Sequence, residues 1–128
     1  MKALILLAML FMHILADFNL QGVLAKMKQQ RWWAKRNGGK YDYITALIIH
    51  GYSWSFMVHI PFALLILLLE ISLHMPTLAM SIIVHATLHA IIDHEKANKH
   101  CFTLAEDQIF HGIQLVIIWA TTVIALYA

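Results

Sequence analysis

Four apolar runs dominate the chain, covering about residues 3–21, 43–73, 77–94 and 104–127. Each is long enough to cross a bilayer as a helix, which takes roughly 20 predominantly apolar residues. None shows the period-2 alternation of a half-buried strand, and a spanning sheet would need a closed barrel of ~10-residue alternating segments. The pattern predicts an all-α, integral-membrane four-helix bundle, with residues 1–128 as a single transmembrane domain.

Local signals refine the spans. The second run is overlong, since about 31 residues would extend roughly 46 Å as a helix. Pro61 lies in its middle and removes a backbone hydrogen bond, so a kink near that residue, or a cytoplasmic extension before His50, is expected to absorb the excess. His74, Met75 and Pro76 predict a very short turn, which makes the second and third spans an antiparallel hairpin. Thr103-Leu-Ala-Glu106 has the form of a capping box, in which the two side chains satisfy each other's orphan backbone donors, and sets the start of the fourth span near 104.

Charge then orients the bundle. Between the first two spans lie Lys26, Lys28, Arg31, Lys35, Arg36 and Lys40 against a lone Asp42, and Lys96 and Lys99 follow the third span. The positive-inside rule makes both segments cytoplasmic and places both termini on the outer side. Trp32 and Trp33 beside these cations suggest a segment at the headgroup boundary that contacts anionic lipid, with Asn37-Gly38-Gly39 turning into the second span.

Composition agrees. Of 128 residues, 61% are hydrophobic and 12% charged, and the mean hydropathy is +0.71, outside the usual range of soluble domains. A net charge of +2 would suggest a polyanion partner in a soluble protein. Here most of the positive charge falls in one loop and reads as topology, so nucleic acid is not implied. The single Cys101 excludes an intramolecular disulfide framework. Lys2 before an apolar run resembles a secretory signal, but His13 and Asp17 within the run and the lack of a small-x-small cleavage pattern favour a retained first helix.

Polar residues inside the runs carry the candidate chemistry, because a charged side chain at the bilayer centre costs about 2.5 to 3.5 kcal/mol. The first span holds His13, Asp17 and Gln21; the second His50; the third His85, His89 and Asp93; the fourth Asp107 and His111. Residues four apart are rotated by only about 40° on a helix, so each set forms one stripe. Counted at 1.5 Å per residue from the inner ends, Asp17, His89 and His111 lie about 6 to 10 Å deep and His13, His50 and His85 about 10 to 13 Å. Asp93 and Asp107 fall near the interface. All four spans therefore contribute at one level, as expected of a polar cavity opening to the cytoplasm. His59 is nine residues from His50, about half a turn of rotation away, and is left outside. His74, His94 and His100 read as solvated or headgroup-level histidines.

Imidazoles and carboxylates together suit zinc, iron or manganese, and i,i+4 pairs can chelate an ion from one helix face. The inventory exceeds one tetrahedral site. It fits two metals, or one metal whose ligands are oriented by further Asp and Gln side chains. The competing readings are polar side chains that hold the bundle together by hydrogen bonds across helices, and a proton or ion pathway.

The order His13-x3-Asp17-Phe-x2-Gln21, a basic loop with tryptophans, His50, then His89-x3-Asp93-x2-Lys96 and Asp107-Gln108-x2-His111 resembles a family of small, uncharacterised bacterial and phage integral membrane proteins, a domain of unknown function. The resemblance covers nearly the whole chain. It implies a multi-pass protein of the bacterial inner membrane whose polar core matters, and brings no established reaction. The general look is also similar to membrane-embedded metal-dependent hydrolases, a fold-level analogy.

Together these features predict a divalent metal site, one or two ions with zinc foremost, at the cytoplasmic mouth. His13, Asp17, His50, His89, Asp93, Asp107 and His111 are the expected ligands or their close supports. Gln21, His85, Lys96 and Gln108 are expected behind them or on the substrate side. Asp93 or Asp107 would take a proton from water in hydrolysis of a membrane-associated substrate. Lys96 would hold an anionic headgroup or cap the third span. The alternative is a non-enzymatic module with a polar core that forms homo-oligomers or binds a membrane protein partner through the Trp32/Trp33 loop.

Overall fold

The computed structural model describes residues 2–69 and 75–127. Among the described residues the chain is helical, without strands. Helix α1 spans Lys2–Ile14 and continues as a π-helical turn, Leu15–Leu20. Short helices α2 (Leu24–Met27) and α3 (Gln30–Ala34) lead to the long helices α4 (Asp42–Leu69), α5 (Met75–Lys99) and α6 (Leu104–Tyr127). Four stretches are long and apolar enough to cross a membrane: Lys2–Leu20, Asp42–Leu68, Pro76–Lys99 and Leu104–Ala125.

Side-chain chemistry explains where the helices stop. Gly22 takes a positive φ of 49°, a left-handed conformation that costs glycine no Cβ clash, and so ends the π turn. Pro76 falls in the first turn of α5, where a missing N–H costs nothing. The third apolar run ends near residue 94, yet α5 continues to Lys99. A Glu95–Lys99 pair at 2.6 Å supports that polar last turn. His100, at φ 56°, then lets the Cys101 N–H bond the Glu95 carbonyl at 3.1 Å, a Schellman-type stop. The Thr103–Glu106 box forms in both directions, with backbone-to-side-chain bonds of 2.8 and 3.3 Å. The expected turn at His74 lies outside the described residues. Helix α4 runs through Pro61 as one continuous element.

The long helices contact one another in cyclic order: α1 with α4, α4 with α5, α5 with α6, and α6 with α1. Helices α4 and α5 approach closely at Gly51, where an added Cβ would sit 2.5 Å from the Ala86 carbonyl oxygen and 3.2 Å from the Ala90 Cβ. Only glycine permits this, and it brings the neighbouring His50 of α4 up against α5.

The interior has two layers. An apolar layer gathers Ile5 and Met9 of α1, Val58 and Phe62 of α4, and Leu115 and Ile118 of α6. Toward the other end of the bundle the buried residues include His13, Asp17, His50, His89, Asp93, Asp107 and His111. Outward-facing positions are apolar, among them Leu7, Phe11, Phe56, Leu67 and Ile124. The exposed surface of the spans is thus hydrophobic while a polar layer is enclosed, the reverse of a water-soluble bundle.

Candidate metal centre

The stripes meet. Asp17, on the π turn, sets its Oδ1 at 3.2 Å from His50 Nε2 and 3.5 Å from His89 Nε2. Asp93 Oδ2 lies 3.4 Å from His50 Nε2 and 3.7 Å from His89 Nε2, and the two imidazole nitrogens are 3.1 Å apart. Ligands at 2.0–2.1 Å from a tetrahedral ion are separated by roughly 3.3 to 3.4 Å. Donor atoms from α4, α5 and the π turn thus have five separations of 3.1 to 3.7 Å, close to the spacing that such an ion imposes.

A second grouping shares Asp93. His111 Nε2 is 3.5 Å from Asp93 Oδ1 and 3.5 Å from Asp107 Oδ1. Asp93 thus turns one oxygen to each group, the placement of a bridging carboxylate. Asp17, His50, His89, Asp93, Asp107 and His111 together form three overlapping sets whose ligand atoms lie within 4.8 Å of one another.

Several of these atoms are buried without a hydrogen-bond partner: Asp17 Oδ1, Asp107 Oδ1, and both ring nitrogens of His111. Leaving a buried polar atom unpaired costs about 1–3 kcal/mol, more when charged, so their convergence on one spot points to a ligand.

Charge tells the same story. The Lys28 ammonium bonds Asp93 Oδ2 at 2.5 Å, and Lys96 bonds Asp107 Oδ2 at 2.6 Å. Two ammonium groups answer three carboxylates, so Asp17 faces only imidazoles.

One expected ligand and some of its expected supports play other parts. His13 has both ring nitrogens occupied: Trp54 Nε1–H donates to Nδ1 at 2.8 Å, so Nε2 carries the proton and donates to Gln108 Oε1 at 3.1 Å. No lone pair remains for an ion, and His13 instead holds Gln108, which itself donates to Asp107 Oδ2 at 3.0 Å. His85 shares the depth of the cluster by residue count, but its ring turns toward His59, 6.3 Å away between centroids. The stripe on α5 is therefore split, with His89 and Asp93 in the cluster and His85 beyond it. Lys96, expected at a headgroup or at the helix end, pairs with Asp107. Gln21 lines the mouth, where its Oε1 is buried without a partner.

Sequence reasoning missed two contributors. Lys28 was counted with the loop cations; the α2 segment folds back over the bundle end and buries it. Nothing in its local spacing marks it out. Trp54 stacks on His89 at 4.2 Å as well as bonding His13. A signal for it exists, since it lies four residues beyond His50 on the same face of α4.

The family model described as "Protein of unknown function (DUF3307)" matches residues 5–128. The chain belongs to the DUF3307 family. No curated protein and no solved structure matches it. What can be said of this DUF3307 chain therefore rests on its own geometry: buried His and Asp groups at metal-binding distance inside a bundle able to cross a membrane.

Proposed function

We propose that this DUF3307 protein is an integral membrane protein that binds one or two divalent metal ions, zinc foremost, and hydrolyses a membrane-associated substrate at its cytoplasmic mouth. The observation that carries the reading is Asp17 Oδ1, fully enclosed, without a hydrogen bond, and aimed between the Nε2 atoms of His50 and His89. Asp17, His50, His89 and Asp93 would hold one ion, and Asp93, Asp107 and His111 a second. A divalent ion supplies Lewis acidity and lowers the pKa of bound water toward about 7.

The protein's own residues do the rest. Trp54, His13 and Gln108 form a chain of hydrogen bonds that ends on Asp107 and fixes the orientation of that carboxylate. Asp107 keeps Oδ1 unbonded while Oδ2 is tied to Lys96, so with only the first ion held, and Asp107 not a ligand, Oδ1 would take a proton from water. Arg36 lies 4.1 Å over the Trp32 ring, a cationic aromatic surface suited to anionic headgroups at the inner leaflet.

Elemental analysis of protein purified in detergent without chelator tests the metal reading. One to two ions per chain are expected, with a lower thermal midpoint after EDTA. Absence of stoichiometric metal together with unchanged stability in EDTA would sink it. The Lys28–Asp93 and Lys96–Asp107 pairs favour a second reading, a non-catalytic polar-cored module, because they show part of the cluster satisfied by protein groups alone. Bound metal with no open coordination position would support that module instead.

A further inference from the structure

An opening among the described residues reaches a carboxylate of the polar layer. It is a cavity of about 390 Å³ at the loop end of the bundle, lined by Gln21, Lys28, Arg31, Asp93, Lys96 and Phe102 among others. Three cations, Lys28, Arg31 and Lys96, line it beside one carboxylate. Metal ions alone would not call for them, since cations beside a metal site weaken it by repulsion. Their placement on the open side instead describes what enters.

Donor capacity sharpens the description. Lys28 and Lys96 each spend one of three N–H donors on an aspartate, at 2.5 and 2.6 Å, which leaves two apiece. Arg31 uses its Nε–H on Gln29 Oε1 at 2.7 Å, leaving the outer edge of the guanidinium unengaged. A carboxylate offers two oxygens on one carbon and could not meet two ammonium groups, a guanidinium edge and an ion together. A phosphoryl group can, with three peripheral oxygens and up to two negative charges.

We infer that the mouth binds a phosphoryl group, so that the substrate of the proposed hydrolase is a phosphate ester. This rests on the metal reading for the chemistry but not for the binding. In the reaction the water oxygen forms a bond to phosphorus. The phosphorus–oxygen ester bond breaks with its electron pair on the alcohol oxygen, and the proton that Asp107 Oδ1 takes from water is passed to that oxygen. The products are an alcohol and inorganic phosphate. Phe102 supplies an apolar wall for the alcohol part, which either a lipid or a small soluble ester could provide.

Equilibrium dialysis with radiolabelled inorganic phosphate against the full chain in detergent tests the assignment, run on zinc-loaded and EDTA-stripped protein with metal content measured in each. Saturable binding is expected. Arg31→Gln, at an exposed position that should leave folding intact, should weaken it roughly three- to tenfold, the loss of one or two net hydrogen bonds. Arg31→Lys should recover part of that loss. Competition by dioctanoyl phosphatidic acid but not by glycerol 3-phosphate identifies a lipid source, and equal competition a soluble one; both outcomes support the phosphoryl class. Phosphate release from the competing ester by metal-loaded protein completes the proposal. Metal-loaded protein that binds no phosphate overturns the inference while the metal reading stands. Phosphate binding by protein that never holds metal overturns the hydrolase and leaves only the anion site.

Discussion

Two groups of buried histidines lie within a few turns of each other and differ in what they lack. His59 donates from Nδ1 to the Ser55 carbonyl at 2.7 Å and receives the Ser81 hydroxyl at Nε2, 3.0 Å away. It is only 2% exposed, yet both ring nitrogens are satisfied, and among the described residues no carboxylate is paired with it. His111 is equally enclosed, but neither ring nitrogen has a hydrogen bond and two aspartates face it at 3.5 Å. Burial of a histidine is therefore no sign of a site. Unmet bonding capacity beside carboxylates is, because it is costly unless something arrives to use it.

The contrast can be broken most severely at Asp93, which serves both candidate ion positions and Lys28. Asp93→Asn should abolish stoichiometric metal and, by stranding a buried ammonium, lower stability by about 3 kcal/mol or more. Retained metal with an unchanged thermal midpoint would remove Asp93 from the centre. Gly51→Val attacks the geometry rather than the chemistry. A Cβ at 2.5 Å from the Ala86 oxygen must push α4 from α5 and part His50 from His89, so metal loss is expected even though every ligand is present. Restored binding in a Gly51→Ser variant would show that the helices yield more easily than their packing suggests.

Smaller effects sharpen the comparison. Trp54→Phe keeps a ring over His89 but removes the hydrogen bond to His13. Metal affinity should fall about tenfold, the lower end of what losing an outer support costs. An unchanged dissociation constant by isothermal titration would show that the support is idle. Ser81→Ala leaves His59 Nε2 without its partner and should cost about 1 kcal/mol of stability, visible as a lower unfolding midpoint, with metal content untouched. Metal loss in that variant would join the two histidine groups into one site.

Parts of this architecture are legible in a linear reading because they are local. Apolar runs of about 20 residues can only be helices in a bilayer, and i,i+4 spacing puts His89 with Asp93 and Asp107 with His111 on common faces whatever the neighbours are. The Thr103–Glu106 box is equally local, since both partners lie within one turn. The π turn at Leu15–Leu20 is not legible, because a four-residue spacing between His13 and Asp17 fits an ordinary helix as well as a widened turn.

What only tertiary structure decided is which polar atoms are left over. His13 and His50 look alike in sequence. The first is consumed by Trp54 and Gln108 from two other helices, whereas the second has its Nε2 among Asp17, His89 and Asp93. Lys28 looks like Lys26, yet one is buried against a carboxylate and the other exposed on α2. Helical periodicity assigns a face to each residue from its own neighbours in the chain. Hydrogen bonds and ion pairs are settled between elements up to 117 positions apart, by packing that no local pattern records.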